Sequence, residues 1–301
     1  MNPYTTWNPN AITFADSAVV GTLPFDIFID TNNTIYAADL LNGRIQIWMN
    51  NHTKNPTNTI YTNPILPNSI FVTANGDIYT DNKNRPYQVH KWSMNTNSST
   101  IVMHTDTACY GLFVDIKNTL YCSLRDTHKV VARSLRSSSN MLTIVAGTGC
   151  AGNTMNTLYN PNGIFVDENF DLYIADTINN RIQLFRSGVL NGVTIAGSGT
   201  IKVTIELRSP TDVTLDRDNN LFIVENRGPR IIVSGPQGFR CIIGCISSIL
   251  YRPRSMAFDS YGNVYVVDGG NNRIQKFMRL NNTLSKYFLT IIKKENRKYF
   301  I

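Results

Sequence analysis

Short apolar runs alternate with polar turns along this chain in a fixed, recurring order. In the segment that begins at Asn160, an apolar run (Ile164, Phe165, Val166) is followed by a polar turn at Glu168 and Asn169, a second run (Leu172, Tyr173, Ile174) and a third from Ile182 to Phe185. Runs this short, rich in β-branched and aromatic residues and bounded by turn formers, predict strands. Apolar residues on both faces of a run suit sheets that are covered on both sides. A fourth strand fits the stretch between successive units, as in MLTIVAGTG from Met141 and GVTIAGSG from Gly192.

The order recurs in six units starting at Leu23, Leu66, Ala108, Asn160, Ser209 and Arg252, spaced 43, 42, 52, 49 and 43 residues apart. The clearest pair reads NPNGIFVDENFDLYIADTINNRIQLF and RPRSMAFDSYGNVYVVDGGNNRIQKF. A period of this size marks an array of supersecondary units. Four antiparallel strands per unit, repeated radially, predict an all-β fold, a six-bladed β-propeller of four-stranded antiparallel blades spanning residues 1–285. The ring needs closing, because an open strand edge invites pairing with other chains. The segment AITFADSAVVG from Ala11 resembles an outer strand without the strands that precede one, so residues 10–15 are expected to complete the last blade. Tyr287 to Ile292 is a rival for the same edge.

The order of Pro, apolar run, Asp, Gly or Asn turn, Tyr, Ala-Asp, Asn and Arg-Ile-Gln resembles the NHL repeat over residues 10–279. Units one, four and six carry it strongly, whereas unit three lacks the Pro and the strand-end Asp. The resemblance implies a six-bladed propeller, the architecture for which the period already argues. Acids at the end of the second strand recur with an Arg five residues on: Asp39 with Arg44, Asp176 with Arg181, Glu225 with Arg230 and Asp268 with Arg273. Each pair is expected to lock a loop without touching a ligand. Gln88 and Lys129 replace the Arg in units two and three, so those blades are expected to be the looser ones.

The formal charge is +7, but residues 286–301 form a basic tail holding five Lys or Arg and one Glu295, so the propeller itself is only mildly basic. That weakens a nucleic-acid role. No apolar run approaches the ~20 residues a spanning helix needs, and MNPYTTWNPN has neither the basic start nor the apolar stretch of a signal peptide. The chain is therefore expected to be intracellular unless its true N-terminus lies upstream. Cysteines argue the other way. Cys109 with Cys122 and Cys241 with Cys245 form two local pairs, the first needing a bulge or diagonal contact to reach bonding distance, while Cys150 is left over. Bridged pairs favour an extracellular site, with the cytoplasm as the alternative. Sequons at Asn32, Asn51, Asn97 and Asn281 permit secretion without arguing for it, since a chain this rich in Asn, Ser and Thr carries several by chance.

Catalytic chemistry finds little support in the pattern. The peptide-amidating lyases, which share this kind of propeller, use a zinc site built largely from His. His52, His90, His104 and His128 lie at four different points of their units, so a converging three-His zinc site is not expected. Lactonase-like propellers use carboxylates and Asn at the inner mouth. The series Asp30, Asp115, Asp167, Asp216 and Asp259 precedes the first turn and suits turn bonding. Tyr36, Tyr79, Tyr121, Tyr173, Phe222 and Tyr265 share one slot, as blade packing requires. No metal and no cofactor is implied.

Function is then sought where the repeats differ. Phe25, Asn68, Tyr110, Asn162, Thr211 and Arg254 open the inner strands and ring one channel mouth. Leu40, Arg125, His128, Ile178, Arg227 and Gly270 come from the loops between second and third strands on the same face. Of these, Phe25, Asn68, Tyr110, Arg125, His128, Asn162, Arg227 and Arg254 are the candidate binding residues, since Arg and Tyr are good interface anchors. The leading expectation is a monomeric, non-enzymatic scaffold that binds a protein or peptide. Single-stranded RNA is the first alternative, requiring the arginines to converge with stacking aromatics. An axial metal-dependent lyase or lactonase-like enzyme is the last.

Overall fold

The computed structural model describes residues 5–49, 55–93, 98–200, 205–246 and 249–280. Six four-stranded antiparallel sheets follow one another around an axis, one per repeat unit. Blade four shows the pattern: Pro161–Val166 is innermost, followed outward by Leu172–Asp176, Arg181–Phe185 and Val193–Gly197. The turn between the first two strands is set by the conserved-slot aspartate of the unit. Asp167 Oδ1 accepts the backbone N–H groups of Asn169 and Asp171, and Asp30, Asp115, Asp216 and Asp259 do the same in their blades. The slot tyrosines then donate to the second oxygen of the same carboxylate, as Tyr36 does to Asp30 at 3.2 Å and Tyr121 to Asp115 at 3.1 Å.

The ring closes through its N-terminus. Ile12–Ala15 pairs with Arg273–Phe277, outside Val264–Asp268 and Met256–Phe258, and so becomes the fourth strand of the last blade. Phe14 and Ala15 bury themselves with Ile27, Ile35, Tyr265 and Ile274, which seals blade six to blade one. The rival segment 287–292 and the tail 286–301 lie outside the described residues. Elsewhere the core also sits between blades: Ile182 packs with Val213, Ile223 and Ile232 of the next blade.

Two features of the inner strands shape the axis. In blades one, three, four and five a bulge follows the first inner residue (Pro24, Cys109, Pro161, Pro210), re-aiming the next side chains. In blade three this bulge sets Leu112, not Cys109, opposite Cys122, and the Cys109–Cys122 disulfide spans the diagonal with a Cα separation of 5.4 Å. Further along, Phe28, Phe71, Phe113 and Phe165 occupy one repeat position and touch in sequence, with ring centroids 5.1, 4.9 and 5.3 Å apart. Blades five and six carry Thr214 and Ala257 there, so the axial channel has an aromatic wall on one side and room on the other.

Candidate functional site

The clamp residues form a structural lock, and the order of the loop explains it. The inner strand of each blade must be entered from the outer strand of the blade before, through a loop with unpaired backbone groups. Asp176, fully buried, accepts the Tyr159 N–H, the Asn179 amide and the Arg181 Nε–H at 2.7, 2.8 and 2.7 Å. Arg181 in turn donates to the carbonyls of Asn153, Thr154 and Thr157 in the incoming loop. Arg44 pairs with Asp39 at 2.6 Å, Arg273 with Asp268 at 2.7 Å, and Arg230 with Glu225, each also donating to a carbonyl of its own incoming segment. Blade three solves the problem differently: Leu124 fills the acid's place, and Lys129 reaches Asp106 of the incoming loop at 2.8 Å. In blade two Asn82 takes the acid's place, its Oδ1 accepting the Leu66 N–H at 3.2 Å, and Gln88 stands in the Arg slot. Asp81, one residue before it and not singled out by the repeat pattern, accepts the N–H groups of Asn68 and Ser69; its Oδ2 has no hydrogen-bond partner among the described residues, and burial pushes its carboxyl up to about 7.

Of the eight candidate binding residues, six line one channel along the axis: Phe25, Tyr110, Arg125, Asn162, Arg227 and Arg254. The other two do not. Asn68 is fully buried, its amide donating to the Cys109 carbonyl at 2.8 Å, so it links blades two and three and is corrected from binding residue to staple. His128 sits in the left-handed region at φ 50°, where Asn180 and Asn272 sit in other blades, and its Nδ1 accepts the Asn160 N–H as those amides accept Ser209 and Leu23. His128 is therefore a blade-to-blade link.

Withdrawal of Asn68 brings the rings on either side of it together. Phe25 of blade one and Tyr110 of blade three meet edge to face at 5.8 Å, although their blades are not neighbours. Cations cover both rings. Arg254 lies 4.3 Å from the Phe25 centroid, Arg125 4.9 Å from Tyr110, and Lys83 is within 5.4 and 5.6 Å of the two. Lys83, which the sequence pattern missed because it lies in an irregular loop of unit two, is held below its usual pKa by burial and then by Arg254. Burial also lowers Arg254. The Nε–H groups of Arg125 and Arg254 are buried and have no hydrogen-bond partner among the described residues. Arg227 and Arg252 are exposed at the same mouth.

One residue deeper, Asp26, Gly111, Gly163, Asp212 and Ser255 line the channel, while Ser69 of the same slot is fully buried. Asp26 accepts Ile70 N–H at 2.8 Å and Asp212 accepts Met256 N–H at 3.1 Å, each stapling its blade to the next. Burial raises both carboxyls, to about 6 and about 7. At the far end the channel is acidic, lined by Asp30, Asp115, Asp167, Glu168, Asp216 and Asp259 against Arg217 and Arg279. The channel, about 1780 Å³, thus runs from a cationic mouth to an acidic one. His90, His104 and His128 are not in its wall, and His52 lies outside the described residues. No cluster of three or more His, Cys, Asp or Glu side chains suited to a metal occurs among the described residues.

The family model of the NHL repeat matches residues 250–277, which hold three strands of blade six, Met256–Phe258, Val264–Asp268 and Arg273–Phe277. The chain is a six-bladed β-propeller that carries an NHL repeat. This NHL propeller also resembles solved structures, at identities that carry the fold alone. A Bacteroides thetaiotaomicron VPI-5482 protein of unknown function superposes with a TM-score of 0.72 at 13% identity, covering 91% of this chain and 76% of that one. A streptogramin B lyase superposes at 0.63 with 10% identity, covering 90% and 98%. A catalytically inactive virginiamycin B lyase from Staphylococcus aureus, solved with quinupristin, superposes at 0.58 with 13% identity, covering 85% and 80%. No curated protein matches the NHL propeller in sequence.

Proposed function

We propose that this NHL propeller is a non-enzymatic binding module that holds an acidic segment of a protein or peptide at its cationic channel mouth. The observation that carries this is the convergence of Lys83, Arg125 and Arg254 on the Phe25–Tyr110 ring pair. Rigid aromatics with arginine beside them make the strongest anchors at protein interfaces, and the positive mouth steers an acidic partner toward them. The RNA alternative asks the same rings to stack on bases. Here the rings meet edge to face and their surroundings are already filled by cations, which favours a partner that brings charge and not flat bases. The likeness to streptogramin lyases is one of fold and lends no activity.

Fluorescence anisotropy with labelled Glu-rich, Lys-rich and neutral peptides of one length, and with a single-stranded RNA, tests the proposal. Saturable binding of the Glu-rich peptide alone, weakened by Arg254→Ala and Arg227→Ala, is expected. Tight binding of RNA with a steep salt dependence, and none of peptide, would replace this reading with the RNA one. We further place the protein in an oxidising compartment, supported by the disulfides Cys109–Cys122 and Cys241–Cys245.

A further inference from the structure

We infer that the cationic mouth contains a discrete oxyanion site, built by Lys83, Arg125 and Arg254, that binds a single carboxylate or phosphate group. This deepens the binding proposal above and rests on it only for the identity of the macromolecule that presents the anion.

The positive charge at this mouth is only partly compensated, by Asp81 and Asp126. Three cations share one partly buried space, and each is held by an aromatic ring. Among the described residues neither Lys83 nor Arg254 makes an ion pair, and Arg125 has only the exposed Asp126 at 3.8 Å. Cations crowded this way repel: Arg254 and Arg125 both disfavour the charge on Lys83. The channel carboxylates Asp26 and Asp212 each accept two backbone N–H groups. Among the described residues neither makes an ion pair with the three cations. An oxyanion entering between the three would remove the repulsion and give the buried Nε–H groups of Arg125 and Arg254 an acceptor.

The position of Arg254 is also built and not incidental. Its side chain crosses Gly269 so closely that a Cβ there would lie 2.6 Å from Nε, and Gly270 is pressed in the same way by Tyr251. Gly269 leaves the path open to the guanidinium, and Gly270 makes room for Tyr251. Guanidinium groups fit carboxylate and phosphate alike, so the geometry names the oxyanion and leaves its source to measurement.

The test is thermal unfolding of the full chain at low ionic strength, titrated with sodium glutarate, inorganic phosphate or sodium chloride at matched ionic strength. Glutarate or phosphate is expected to raise Tm saturably, by at least ~3 °C near saturation, whereas chloride does not. Preference between the two separates a carboxylate source from a phosphate source. Lys83→Met and Arg254→Met should abolish most of the rise, and Arg217→Met, at the acidic end, should keep it. In anion-free buffer Lys83→Met should melt no lower than the parent, because it relieves repulsion. An equal rise with chloride, or a full rise retained in Arg254→Met, would overturn the site. Anion binding without any peptide binding would sink the peptide proposal and leave this one standing.

Discussion

At the scale of single residues, the same motif position has very different weight in different blades. Arg181 and Asp176 are both withdrawn from solvent, with side-chain exposures of 6% and 0%, and their guanidinium also holds three loop carbonyls. Removing one partner of such a pair strands a buried charge, so Arg181→Ala should cost about 3–5 kcal/mol in denaturant unfolding. Lys129→Ala, which loses a pair with the half-exposed Asp106, should cost at most about 1 kcal/mol. Equal losses would mean that the loop, and not the buried acid, sets the cost. In blade two Asn82 holds the motif position, and the buried acid Asp81 precedes it with no Arg beside it. Its carboxyl rises from 3.8 to about 7 on folding, so between about pH 4 and pH 7 the native state holds a proton that the unfolded chain has released. Stability from this group is complete below the unfolded value and is lost as pH climbs through about 7. Asp26 and Asp212 add to the same fall. Asp81→Asn keeps an acceptor for Asn68 and Ser69 and cannot titrate, so its Tm should decline less than the parent's between pH 5 and pH 8. An unchanged slope would clear Asp81 of that role.

At the scale of elements, the inner strands of blades three, four and five approach so closely that only glycine fits between them. A Cβ on Gly163 would lie 2.4 Å from Asp212 Oδ1 and 2.7 Å from its Cα, and one on Gly111 would lie 2.8 Å from the Asn162 carbonyl. A backbone atom cannot rotate away, so Gly163→Ala should force the strands apart and cost about 1–3 kcal/mol. Gly235→Ala, whose nearest neighbour would be 3.7 Å away, is the comparison and should stay within about 0.5 kcal/mol in the same unfolding assay. Strands of this kind were readable from the chain because each apolar run is bounded by its own turn chemistry. The stretch from Met141 held Thr143–Ala146, and the closing segment 10–15 held Ile12–Ala15. Of the bulges only that at Cys109 was foreshadowed, where a disulfide needed a bulge or a diagonal contact. In the other blades a proline opens the strand and the alternation gives no sign of an extra residue.

At the scale of the whole molecule, what the sequence could not supply is which variable positions turn inward. Phe25 and Tyr110 share a slot with Asn68, yet the first two face the channel and the third is buried, because its amide finds the Cys109 carbonyl. Lys83 joins them from a loop whose length is particular to blade two, so no comparison of repeats would have found it. The aromatic column Phe28, Phe71, Phe113 and Phe165 was available in the pattern and becomes meaningful only once the blades are arranged in a ring. Global architecture also separates the two disulfides. Cys109 and Cys122 lie in the core of blade three, at 1% and 0% exposure, inside the cluster that joins blades two to four. Cys245 is at the surface, on the loop after the outer strand Gly238–Ile243. Exchange requires a thiolate to reach a sulfur, so mild reductant on the folded protein should open Cys241–Cys245 first. Cys109–Cys122 should yield only when the ring unfolds. Alkylation of the native protein at increasing reductant, read by peptide mass, is expected to label Cys150 without reductant, then Cys241 and Cys245, and Cys109 and Cys122 only in denaturant. Early labelling of Cys109 would mean that blade three opens independently, and that this blade, one of the two without an Arg clamp, is held by its neighbours less firmly than its burial implies.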